Sequence, residues 1–127
     1  YTTVLNMDTM SMSTKILSKL LPDFSEAEMV KLVHDGYTGK FETDHLTPTV
    51  PVGEDFILEL FRGPTSAFKD VALSMLPRLM TASKEKLGVD DEIMILTATS
   101  GDTGKAAMEA SAMCRARRSS SSTPTAA

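Results

Sequence analysis

The chain has 127 residues, 17 acidic and 13 basic, with a formal net charge of −4. All the acidic residues fall by Glu109 while Arg115, Arg117 and Arg118 cluster beyond it, so the body is acidic and the tail basic. An acidic body argues against nonspecific nucleic-acid binding, and one cysteine, Cys114, excludes both an intramolecular disulfide and a cysteine-built metal site.

No apolar run has transmembrane length, and the start lacks the basic, apolar and small-residue succession of a signal peptide, so neither a membrane nor export is expected. The expected compartment is the cytoplasm. Tyr1 stands where a start methionine would, so the chain is expected to begin inside a longer reading frame or to have a beginning that was not recorded.

From Met10 to Leu21, the residues Met12, Ile16, Leu17, Leu20 and Leu21 recur at helical spacing until Pro22 ends the run. Ser25 followed by Glu28 has the spacing of a capping box, opening a second helix with Met29, Val30, Leu32 and Val33 on its apolar face and Gly36 at its end. His34 and His45 have no cysteine, histidine or paired carboxylates at ligand spacing, so no metal site is expected. Lys40 to Val52, rich in threonine and proline, reads as an extended connector.

Phe56 to Leu60 is strand-like, Gly63-Pro64 breaks it, and Ala67, Phe68, Val71, Ala72, Met75, Leu76, Leu79 and Met80 then form a helical stripe, kinked at Pro77 and ended by Gly88. Lys69 falls in the first turn of that helix, where the helix dipole and partial burial both favour a neutral, nucleophilic amine. The competing reading is a solvated lysine paired with Asp70. Glu92 to Ala98, centred on Ile93, Met94, Ile95 and Leu96, is a second strand apolar enough for burial on both faces. Strand, crossover helix and strand predict a parallel pair whose following loops emerge at one sheet edge, so the segments after Leu60 and after Ala98 should face one pocket.

Thr99 to Gly104 supplies two glycines, several hydroxyls and the start of a helix, a setting in which backbone N–H groups can meet a carboxylate or phosphate. It is not a nucleotide-hydrolysing loop, since alanine follows Lys105. The competing reading is a plain helix cap made by Asp102 or Thr103.

Glu59-Leu60-Phe61-Arg62-Gly63-Pro64-Thr65-Ser66-Ala67-Phe68-Lys69-Asp70 closely resembles the signature of threonine synthases, in which the lysine of a Gly-Pro-Thr-x-Ala-Phe-Lys-Asp run carries pyridoxal phosphate. Ala98-Thr99-Ser100-Gly101-Asp102-Thr103-Gly104-Lys105-Ala106-Ala107 stands where that family has its substrate-binding loop. The resemblance runs from about residue 10 to residue 108. It implies an α/β fold class, an incomplete fragment of the tryptophan synthase β-like, fold type II pyridoxal-phosphate enzymes, with parallel strands and a crossover helix.

It also implies a lyase that turns O-phospho-L-homoserine and water into L-threonine and phosphate. Lys69 would be the catalytic residue and hold the cofactor as a Schiff base, with Phe68 and Asp70 packing and positioning the lysine segment. Thr99, Ser100, Gly101, Asp102, Thr103 and Gly104 would bind the substrate. Arg62 replaces the family's usual histidine, which puts in doubt any contact made by that side chain. A Thr-Pro region ahead of the lysine motif lies near the substrate pocket in this family, matching Thr47-Pro48 in position.

Related dehydratases and sulfhydrylases resemble Ser-x-Lys and Ser-Gly-Asn at these places, against Ala67-Phe68-Lys69 and Ser100-Gly101-Asp102 here. A second alternative is a catalytically inactive truncated product, because the cofactor's phosphate cup and the hydroxyl partner of its ring nitrogen lie later in this family. Residues 1–110 are expected to form a partial catalytic region and 111–127 a disordered or frameshifted tail, its serine run at 119–122 replacing the third strand the fold calls for. One permitted back-translation from Glu109, read in another frame, does give a turn and a buried strand.

Overall fold

A computed structural model describes residues 6–119, with side chains described to residue 112. Asp8 opens α1 (Thr9–Leu20), its carboxylate accepting from the amides of Met10 and Ser11 at 3.0 Å each. The capping box predicted for α2 (Glu26–Tyr37) forms: the amide of Ser25 donates to Glu28 Oε2 at 2.7 Å, and that of Glu28 to Ser25 Oγ at 3.3 Å. Met29, Leu32, Val33 and Gly36 are buried at steps of three and four, whereas Val30 falls off that face and is half exposed. Gly36 does not end the helix. It lies in the last turn, where a Cβ would stand 2.3 Å from Met75 Sδ, so its missing side chain lets Met75 pack onto the backbone.

The helix predicted across Ala67 to Leu87 is in two pieces, α3 (Asp70–Leu73) and α4 (Leu76–Leu87). Pro77 explains the break, because it has no N–H to donate backward and is tolerated only in a first helical turn, where it sits here. Gly88 ends α4 at φ 63, the left-handed conformation that glycine adopts without a Cβ penalty. Met29, Leu32, Val33, Tyr37, Leu46 and Met75 form the core, with Phe24, Phe41, Val71 and Leu79 packed around them. The Tyr37 hydroxyl crosses this core to donate to the Val71 carbonyl at 3.0 Å, tying α2 to α3.

The strands depart from expectation. β1 (Thr49–Val52) and β2 (Asp55–Leu58) pair antiparallel, Thr49 opposite Leu58 and Val52 opposite Asp55, across a short turn with Gly53 at φ 63. The connector read at Lys40 to Val52 thus ends as a strand. A two-residue turn closes this pair locally, whereas a parallel pair needs a partner from across a crossover. Glu92 to Ala98, expected as that partner, joins no sheet among the described residues. Nor is it buried on both faces: Met94 and Leu96 are 87% and 92% exposed, while Ile93 and Ile95 on the alternate face are about 40% exposed. That second face flanks a groove of about 300 Å³ that Ala107, Met108, Ser111 and Ala112 of α5 (Asp102–Ser119) line on the other side.

Helix α5 crosses the boundary drawn at residue 110. The rest of the tail, from residue 120, lies outside the described residues. No helix among the described residues is long and apolar enough to cross a membrane.

Candidate functional site

The lysine segment is built as a locked turn. Pro64 follows Gly63 in a tight bend closed by the Ser66 amide donating to the Gly63 carbonyl at 3.0 Å. Asp70 then reaches back over it: its carboxylate, 2% exposed as a residue, accepts from the Thr65 amide at 2.8 Å and from Thr65 Oγ1 at 2.6 Å. A Cβ on Gly63 would lie 2.5–2.9 Å from the Asp70 side chain, so only glycine leaves room for this latch. Ser66 takes φ 59, a left-handed conformation that costs a non-glycine residue about 1–2 kcal/mol and is held by the surrounding bonds.

Lys69 is the residue just before α3, not inside a first helical turn as predicted, and α3 has only four residues, so its dipole adds little there. The lysine does not pair with Asp70, whose carboxylate is turned to Thr65. Its ammonium instead lies over the Phe68 ring, 5.0 Å from the centroid. Phe68, expected to pack the segment, is 59% exposed and shields one side of the amine instead.

Arg62 is engaged elsewhere. Its guanidinium meets Glu42 at 2.7 Å and Glu59 at 2.7 Å, and its carbonyl accepts from the Glu42 amide at 3.0 Å. Hydrogen bonds to Glu42 and then Glu59 raise its already high pKa. The side chain clamps the exit of β2 to the segment after α2.

In the second motif, Thr99 makes the cap that the competing reading gave to Asp102 or Thr103. Its Oγ1 accepts from the amides of Gly101 and Gly104 at 3.1 and 3.0 Å. Gly101 has φ 148, and Asp102 is the first helical residue, its negative charge placed favourably at the helix start. Ser100, Gly101 and Asp102 are exposed, Thr103 half-buried and Gly104 buried.

The two motifs do come together, though not through a parallel pair. Helix α3 packs against α5, and Lys105 Nζ reaches the Thr65 carbonyl at 3.5 Å. The Thr65 and Lys105 roles escaped sequence reading; the Asp70-to-Thr65 spacing of five residues was the available signal. Thr47 and Pro48 line a separate hollow of about 370 Å³ with Thr9, Met12, His45 and Thr49. Among the described residues no group of three or more metal-binding side chains gathers.

No protein-family model matches the chain. It is 42% identical over 91 residues to the threonine synthase of Pseudomonas aeruginosa, an alignment covering 71% of this chain and 19% of that protein. It is 36% identical over 87 residues to human threonine synthase-like 1, covering 68% of this chain and 11% of the relative. Among solved structures, pyridoxal-phosphate-bound threonine synthase from Brucella melitensis superposes with a TM-score of 0.74 at 36% identity, covering 84% of this chain and 23% of that one. The chain thus spans less than a quarter of the length of these relatives. In sequence and in fold, over that share of their length, the chain belongs with the threonine synthases as an incomplete α/β fragment of the fold type II class.

Proposed function

We propose that this chain carries the lysine-bearing and carboxylate-binding part of a pyridoxal-phosphate-dependent lyase, a threonine synthase, which in its intact form converts O-phospho-L-homoserine and water to L-threonine and phosphate. The observation that carries the reading is the juxtaposition of the Asp70-latched lysine turn with the start of α5. The relatives' names and the cofactor-bound neighbour support it.

The residues present fit the cofactor's aldehyde end. Lys69 is a half-buried residue whose amine is not engaged by the adjacent carboxylate, on a turn whose shape is set by Gly63, Thr65 and Asp70. Lys69 would hold the cofactor covalently, and Phe68 would screen the amine from water on one side. When bound, the cofactor supplies the electron sink for charge developing beside the substrate's α-carbon. Lys69 Nζ would also be the group placed to carry protons beside the substrate's α-carbon. Ser100, Thr103 and the backbone amides that open α5 would orient the substrate carboxylate, with Thr99 holding the loop in shape. Arg62, held by two carboxylates, takes no part.

A second reading is favoured by the exposed apolar run at 93–96: the 127-residue chain alone is a catalytically inactive piece that holds the cofactor weakly. A related dehydratase is disfavoured by Ala67-Phe68-Lys69 and Asp102.

The test is to incubate the chain with pyridoxal phosphate, reduce with borohydride, and map the modified lysines by mass spectrometry. Phosphate release from O-phosphohomoserine is measured in parallel. Lys69 should be modified in preference to Lys31 and Lys84, and Lys69→Ala should remove that preference. Equal modification of all three lysines would overturn the cofactor assignment. Phosphate release by the wild-type chain would exclude the inactive-piece reading.

A further inference from the structure

We infer that Lys105 is a positioning residue for Lys69, tethering the start of α5 to the lysine turn through the Thr65 carbonyl; this rests on the reading of Lys69 given above. Lys105 is the fourth residue of α5, where the positive end of the helix dipole disfavours a cation. Lys105 is exposed, so water solvates its ammonium as well. The acceptor it meets within the protein is the Thr65 carbonyl at 3.5 Å, on an element 40 residues away in the chain.

Thr65 is buried and engaged on both sides. Its amide and hydroxyl donate to the Asp70 carboxylate, and its carbonyl faces the Lys105 ammonium. Negative charge at the N–H side and positive charge at the C=O side act with the local dipoles, so each contact polarises the other favourably. The result is a bridge running from Asp70 through Thr65 to Lys105. Asp70 directly follows Lys69, so the same bridge sets where the amine stands relative to the residues at 99–104. A change in the α5 start would be felt at the lysine turn, and loss of the bridge would leave the turn held by Asp70 and the Ser66–Gly63 bond without the tie to α5.

The test uses the full 127-residue chain with Lys105→Met and Lys105→Arg, read by amide hydrogen exchange over residues 63–69 and by borohydride trapping of pyridoxal phosphate at Lys69 relative to Lys31. In Lys105→Met, exchange over 63–69 should quicken by about fivefold, as expected for losing one ordinary hydrogen bond, while exchange in α2 is unchanged. Preferential trapping at Lys69 should fall, and Lys105→Arg should restore both. Wild-type exchange over 63–69 in the methionine variant would overturn the tether. A wild-type chain that traps Lys69 no better than Lys31 would instead remove the cofactor reading, with the exchange result still deciding whether Lys105 holds the turn.

Discussion

At the scale of single residues, the decisive group is Asp70. Sequence proximity suggests a partner for Lys69, but the carboxylate is bonded twice to Thr65, and this leaves the neighbouring amine available. Replacing Asp70 with alanine strands a buried amide and a buried hydroxyl, which costs about 1–3 kcal/mol for each group left unsatisfied. The expected outcome is a clear loss of stability in urea unfolding, with Asp70→Asn recovering part of it because an amide oxygen still accepts. An unchanged midpoint for the alanine variant would mean that the latch contributes nothing to the fold. Gly63→Ala should act on the same latch by a different route, crowding the carboxylate instead of removing it.

At the scale of elements, the helices are joined by polar contacts as much as by apolar ones. Lys86 in the last turn of α4 meets Glu28 at the start of α2 at 2.9 Å, and the same carboxylate closes the capping box with Ser25. The Lys86 contact first, then the bonds from Ser25, hold the Glu28 carboxyl down from 4.5 to about 2. A carboxyl whose folded pKa is depressed adds stability above its unfolded value, and that stability is lost as pH falls toward the folded one. The contribution should therefore be full above pH 4.5 and fade between there and about pH 2. Both side chains are exposed to solvent, so added salt should weaken the effect. Thermal melts of wild type and Glu28→Gln should differ at pH 6 and converge near pH 2; a gap independent of pH would assign the loss to the cap geometry alone.

At the scale of the whole molecule, the main core cluster is built from α2, Leu46 and Met75, with α1 and α4 packed against it, while β2 and residues 93–96 present apolar side chains to solvent. An exposed apolar run that joins no sheet is a template for pairing with another chain. Leu96→Lys, at a position already 92% exposed, should reduce self-association in sedimentation velocity without lowering the melting temperature. Equal association by both proteins would place the contact surface elsewhere.

Much of the molecule follows from local rules that a sequence expresses by itself. The Ser25–Glu28 box, the left-handed Gly88 and the break at Pro77 each depend on residues within one turn of one another. The two site motifs were legible for the same reason, being contiguous runs. Local pattern could not choose between partners. The run at 56–60 was open to a parallel or an antiparallel mate, and the short turn at Gly53 brought Thr49–Val52 alongside first. Apolar continuity at 92–98 signalled a strand suited to burial, but burial needs a neighbour, which the described residues do not provide. The Asp70 latch, the Arg62 clamp and the reach of Lys105 to Thr65 were likewise decided by tertiary structure, because a side chain that can bond several partners meets only those the packed backbone brings within its length.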